Sequence, residues 1–130
     1  MYNLNRNLTL FIKPFIWLVI IAVLCLMPGN DLPRIPLSNL PQFDKFVHFM
    51  MYFILALLLV KPLRRLRLPV WVIVLVISVL IGGLIEILQY AITNLRSASW
   101  FDFFADIAGT ITGLLTYGML VAGKCWEKYF

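Results

Sequence analysis

The sequence predicts an all-α, polytopic membrane protein, with four transmembrane helices in one small bundle and both termini cytoplasmic. Three observations predict it. Of the 130 residues, 62% are hydrophobic and 13% charged, against roughly 25% charged in soluble domains, and the mean hydropathy is +0.94. Four apolar stretches, at about residues 10–27, 43–60, 70–92 and 100–122, have the length needed for a bilayer core of roughly 30 Å. The basic residues are gathered at alternate ends of those stretches, as the positive-inside rule requires of a multi-pass chain. A chain of this length leaves room for one compact domain, residues 1–130, and no separate soluble one.

The first span follows a short start carrying Arg6 and Lys13. It reaches spanning length if the Lys13 stem lies along the apolar surface with its head in the interface. A basic start before an apolar run also fits a signal peptide. The next residues, Pro28, Gly29 and Asn30, offer no small-residue cleavage site, so the segment reads as retained. Residues 28–43 hold four prolines and read as a turn-rich loop. Ser38 or Asn39 is placed to cap the second span, with Pro41 in its first turn. Lys61 and Pro62 are expected to end that span. The third, Val70 to about Ile92, is rich in Val, Ile and Leu, and its length favours a helix over a strand. The fourth runs from Trp100 to Ala122, and the tail GKCWEKYF follows.

Arg6 and Lys13, the set Lys61, Arg64, Arg65 and Arg67, and the pair Lys124 and Lys128 mark one membrane face. The rule places that face in the cytoplasm. Trp17, Trp71, Trp100 and Trp126 fall near span ends, where interfacial Trp is expected. The net charge of +5 is then explained by cytoplasmic loops and anionic headgroups. No nucleic-acid-binding motif is present. Cys25 and Cys125 are expected at opposite faces, too far apart to pair.

The unusual polar residues converge on the other face. Asp44, Lys45 and His48 lie at the outer end of the second span, with Tyr52 continuing the i, i+4, i+8 stripe. Glu86 and Gln89 lie in the outer half of the third span. Arg96, Ser97 and Ser99 occupy the outer loop, and Asp102 and Asp106 open the fourth span. Intramembrane ionisable groups cost about 2.5–3.5 kcal/mol each on insertion scales, so such a cluster is a functional candidate. Gly109 and Gly113, with Gly82 and Gly83, are expected to let the third and fourth helices approach beneath the carboxylates. Glu86 needs a partner or a proton, and Arg96, Lys45 and His48 are the candidates. His48, the sole histidine, is expected to hydrogen-bond beside Asp44, orienting it or acting as a general acid/base. As a metal ligand it would need Asp44, Glu86 and Asp106. No His/Cys spacing supports zinc, so no metal and no cofactor is predicted. Ser97 and Ser99 read better as turn formers than as nucleophiles, and Asp102 complements a helix dipole.

In Asp44-Lys45-x-x-His48 with Tyr52, in Glu86-x-x-Gln89, and in Arg96-Ser97 followed by Asp102, Asp106, Gly109 and Gly113, the chain resembles the VanZ-like membrane protein family. The resemblance covers roughly residues 40–115. It implies a bacterial cell-envelope protein of the cytoplasmic (inner) membrane with a link to glycopeptide antibiotic tolerance. It implies no particular reaction. The family often has Asn where this chain has Asp106; an aspartate there serves if the position only hydrogen-bonds, and is otherwise protonated or paired with Arg96.

The predicted function is an extracytoplasmic polar crevice that binds an anionic envelope component, either a phospholipid headgroup or a lipid-linked cell-wall precursor. Lys45 and Arg96 would hold the anion, with Asp44 and Lys45 at a helix N-terminus. Glu86, Asp106 and His48 would set protonation, and Gln89 and Tyr52 would donate hydrogen bonds. One rival is acid/base chemistry on a lipid phosphate, with His48, Glu86 and Asp106 as the catalytic candidates. The other is a structural protein whose polar network only fixes helix register. Membrane lipids are the expected partners, and a homo-oligomer is left open.

Overall fold

A computed structural model describes residues 8–27, 42–92 and 99–129, the side chain of Trp126 excepted. Four α-helices follow in order: α1 Ile12–Leu26, α2 Phe43–Arg65, α3 Val70–Ile92 and α4 Trp100–Thr116. α4 runs on into a π-helical turn, Tyr117–Val121, and a 3-10 helix, Cys125–Tyr129, closes the described chain. No strand occurs among the described residues.

α2, α3 and the continuous run Trp100–Val121 have 23, 23 and 22 residues and are long and apolar enough to cross a membrane. α1 is a shorter apolar helix of 15 residues, about 22 Å at 1.5 Å per residue. It starts two residues later than the expected 10–27 and ends one residue earlier, where Met27 turns extended, with φ −67 and ψ 133. A residue before a proline is biased that way. α3 leaves Val72, Val76, Leu80, Leu84 and Ile87 exposed along one side. An apolar stripe of that extent suits a lipid-facing surface and not water.

α2 is the central element. Tyr52, Leu55, Ala56, Leu59, Val60 and Leu63 are all buried in the core, and α4 packs on α2 more extensively than on any other helix. Glycines set this contact. A Cβ on Gly109 would collide with the Phe49 carbonyl, and one on Gly113 would lie 2.6 Å from the Phe53 carbonyl and 2.9 Å from the Ala56 Cβ. The expectation that these two glycines meet the third helix is therefore corrected: their partner is α2. On α3 it is Gly82 that faces α4, with Asp106 and Phe103 above it. α1 is pinned to both neighbours. Trp17 Nε1 donates to the Met51 carbonyl at 2.8 Å, and Gln89 Nε2 donates to the Cys25 carbonyl at 2.7 Å.

α2 also runs past its expected end at Lys61. Pro62 sits inside its last turn, and the helix stops at Arg65. The stop is a Schellman motif: Leu68 N–H bonds the Leu63 carbonyl at 3.2 Å and Arg67 N–H bonds the Arg64 carbonyl at 3.0 Å. Arg67 takes the left-handed conformation, φ 57, where glycine is usual, and Pro69 follows.

The tail is stapled to this basic end. Glu127 accepts from Gly123 N–H at 2.8 Å and from the Tyr117 hydroxyl at 3.0 Å, and Arg64 lies 3.5 Å away. Lys61 donates to the Glu127 carbonyl at 2.8 Å, and Lys13 donates to the Tyr129 carbonyl. The Gly123 and Tyr117 hydrogen bonds, with the nearby Arg64 and Lys61 charges, hold the Glu127 carboxyl below its ordinary value of 4.5.

Two predictions follow from this packing. Gly109→Ala places a methyl against main chain that no rotamer change can relieve, and lowers stability by roughly 1–3 kcal/mol or more. Gly118→Ala, with nothing within 4 Å of its added Cβ, is neutral or mildly stabilising. Thermal unfolding in detergent distinguishes them. Second, a depressed carboxylate contributes stability in full above its unfolded value, and loses it as pH falls through the folded value. The melting temperature should therefore drop below about pH 4.5, and Glu127→Gln should flatten that part of the profile.

Candidate functional site

The opposite end of the bundle gathers its polar side chains around the α2–α4 contact. Gly109 rests on the Phe49 carbonyl. Asp106 is one turn before Gly109, and His48 one residue before Phe49. That approach sets His48 Nδ1 3.0 Å from Asp106 Oδ1, with side chains 5% and 3% exposed. Thr110 donates to the Asp106 carbonyl, back along α4. Across from this pair α3 presents Gly82. A Cβ there would lie 2.9 Å from Asp106 Oδ2 and 3.5 Å from the Tyr52 hydroxyl, so the glycine leaves the space both polar atoms occupy. Three helices thus build the cluster: α2 supplies His48 and Tyr52, α3 a gap, and α4 Asp106.

Two further carboxylates close on His48. Glu86 of α3 accepts from Ser99 N–H through Oε2 at 2.8 Å, while its Oε1 has no hydrogen-bond partner among the described residues. Asp102, in the first turn of α4, has Oδ1 3.7 Å from Lys45 Nζ and no hydrogen bond to that atom. His48, Glu86 and Asp102 are all buried and each offers a ligand atom within 4.8 Å of the others. The Tyr52 hydroxyl is also buried without a partner. Unmade hydrogen bonds on buried polar atoms cost about 1–3 kcal/mol each, so several in one place make this the costliest part of the bundle to bury. Lys45 lies at the rim. Its ammonium is shared between Asp44, at 3.3 Å, and Asp102.

Of the residues singled out in the sequence, His48, Tyr52, Glu86, Asp102 and Asp106 meet in one buried cluster, with Asp44 and Lys45 at its rim. Arg96 and Ser97 lie outside the described residues, as do Ser38, Asn39 and Pro41. The expected His48–Asp44 hydrogen bond is not the one formed: His48 bonds Asp106 across the helix interface, and Asp44 bonds Lys45. The i, i+4 spacing on one helix could not show that a second helix would come closer. Gln89 faces α1 as a brace. Ser78 was missed. It is buried with an unpartnered hydroxyl, two turns below Glu86 on the Ser78, Gly82, Glu86 line, and that i+4 ladder in an apolar helix was its signal. The Ser99 main-chain N–H, which holds Glu86, has no sequence signal.

Beside the cluster, between α3 and the start of α4, is a cavity of about 400 Å³. Ile87, Tyr90, Trp100 and Phe103 form apolar walls, Gly83 opens its floor, and Glu86 borders it. A slot lined almost wholly by apolar surface suits an apolar chain, and Glu86 joins it to the polar cluster. The His48–Asp106 pair is an imidazole held by a carboxylate, an arrangement able to orient or carry a proton. One imidazole and two carboxylates are also metal-type donors.

The model of the VanZ/LLP1 family matches residues 2–121. No curated protein and no solved structure matches the chain.

The cluster itself is open to test. Asp106→Ala leaves His48 buried without its partner and should cost about 3–5 kcal/mol. Asp106→Asn keeps an acceptor for His48 Nδ1 and should cost about 1 kcal/mol. Denaturation of both variants in the same detergent gives the difference.

Proposed function

The chain belongs to the VanZ/LLP1 family, a membrane protein with membrane-span-like helices, and on that premise we propose that it binds an anionic amphiphile of the bacterial envelope. The headgroup would sit at the rim of the buried cluster, and part of the apolar chain in the slot between α3 and α4. The observation that carries this reading is the juxtaposition of that slot with the cluster through Glu86. Lys45 is the cation at the rim, and Arg96, outside the described residues, would be the second. His48, Asp106 and Glu86 would set headgroup geometry and protonation, with Tyr52 as a free donor. Lys13, Lys61 and Arg64 share the far end of the bundle with the tail. By the positive-inside rule that end would be cytoplasmic and the cluster extracytoplasmic, in the inner membrane, with α1 completing a four-span topology. The chemistry fits a phospholipid or a lipid-linked cell-wall precursor. A role in glycopeptide tolerance would follow from the second.

A specific observation supports a second reading. The buried His48–Asp106 pair has the geometry of a general base with its orienting carboxylate, so the headgroup phosphate could be a substrate.

Native mass spectrometry of the detergent-extracted protein tests both. The wild type should retain anionic lipid. Lys45→Ala should weaken retention through the headgroup. Gly83→Leu should block the slot, since among the described residues its Cβ meets Phe103 at an ordinary 4.0 Å; a melting temperature near that of the wild type checks that the variant folds. Unchanged retention in both variants refutes the binding reading. Phosphate release from lipid diphosphates, abolished in His48→Ala, selects the catalytic one.

A further inference from the structure

We propose that His48, Glu86 and Asp102 form a binding site for a divalent first-row metal ion of the Mn²⁺ or Zn²⁺ kind, with Asp106 as the outer-shell partner of the histidine.

The geometry comes first. The three residues come from α2, α3 and α4, and their ligand atoms lie within 4.8 Å of one another. Ligands on one ion at roughly 2.0–2.2 Å stand about 3.0–3.5 Å apart. Small rotations of the two carboxylates would close that gap. Neither Glu86 Oε1 nor Asp102 Oδ1 would break a hydrogen bond in turning, and Asp102 Oδ1 has only the 3.7 Å ion pair with Lys45 to give up.

Orphaned atoms are the second observation. Glu86 and Asp102 are each 8% exposed, and the Tyr52 hydroxyl, fully buried and aimed at the same space as Asp106 Oδ2, is also without a partner. A purely structural network would satisfy these atoms, as the tail satisfies both oxygens of Glu127. Charge is the third. Glu86, Asp102 and Asp106 are three buried carboxylates. The groups of opposite sign facing them among the described residues are His48 and Lys45, and Lys45 is shared with Asp44. A divalent ion would add positive charge to three carboxylates that, among the described residues, face only these two groups.

The outer shell is already in place. His48 Nδ1 lies 3.0 Å from Asp106 Oδ1; an ionised carboxylate can only accept there, which would leave the imidazole lone pair on Nε2, the arrangement found behind most metal-bound histidines. One imidazole and two carboxylates favour Mn²⁺, Fe²⁺ or Zn²⁺ over Ca²⁺ or Mg²⁺. Three protein ligands leave coordination positions open. The ligand set weighed from the sequence was His48 with Asp44, Glu86 and Asp106; helix packing brings Asp102 in place of Asp44 and puts Asp106 behind the histidine.

The ion goes beyond the amphiphile reading and stands separately from it, although it would remove one difficulty of that reading: an anion beside three carboxylates is repelled unless a cation lies between them.

The full chain, purified in lipid-free detergent with any tag removed and stripped with EDTA, is titrated with Mn²⁺ and with Zn²⁺. One ion per chain is expected. Because His48 is the sole histidine, pulsed EPR of the Mn²⁺ form should show a single imidazole nitrogen coupling, a readout that needs no variant. Glu86→Gln and Asp102→Asn should each weaken binding by at least the roughly 10–100-fold that outer-shell losses cost, and Glu127→Gln, at the far end, should not. Absence of stoichiometric binding at millimolar metal overturns the proposal, and so does binding with no nitrogen coupling. Lipid retention measured with and without EDTA separates the two readings: metal bound but lipid not retained defeats only the amphiphile reading.

Discussion

The contact between the backbones of α2 and α4 is the constraint on which the rest depends. Where Gly109 and Gly113 lie against the Phe49 and Phe53 carbonyls, the two helices are closer than side chains would allow. In a membrane, where apolar burial contributes little to helix association, such close packing is a main source of cohesion. It also has a chemical effect. Asp106 is one turn from the contact and His48 one residue from it, so the approach that holds the helices together also delivers a carboxylate to an imidazole. Any change that widens the contact would loosen both.

The two ends of the bundle treat their acids differently. At the tail, Glu127 is surrounded: a main-chain N–H, a tyrosine hydroxyl and an arginine all address it. At the other end, Glu86 and Asp102 are more deeply buried yet keep oxygens with no hydrogen bond. Burial raises the cost of an unmet acceptor, so the less satisfied carboxylates are in the more demanding place. The tail satisfies its acid, whereas the cluster leaves acceptor oxygens without a hydrogen bond.

Much of this was legible because helical spacing is a local property. The Asp44, His48, Tyr52 stripe and the Asp102, Asp106 pair can be read from i+4 intervals, and the α3 limits from an unbroken apolar run between Pro69 and a polar loop. What could not be read was which helix each stripe would face. Spacing showed that Gly109 and Gly113 permit close approach, but not that α2 would be the partner, so His48 was matched with Asp44 on its own helix. The end of α2 was misplaced for a different reason. Lys61-Pro62 looks like a stop, while the true stop relies on Arg67 in a conformation that its side chain does not advertise. Spacing placed Gln89 beside Glu86 but could not show that its Nε2 would donate to the Cys25 carbonyl of α1. Arg96 and Ser97 fall outside the described residues.

α1 is held in a way that shifts the burden of mutation. Trp17 and Gln89 both donate to main-chain carbonyls, those of Met51 and Cys25. A carbonyl is present whatever residue carries it. Met51 and Cys25 can therefore drift among side chains of similar volume without breaking the tethers, whereas Trp17 and Gln89 cannot change freely. The attachment of the shortest of the four α-helices is thus written at two donor positions and is largely indifferent to the identity of the residues that receive them.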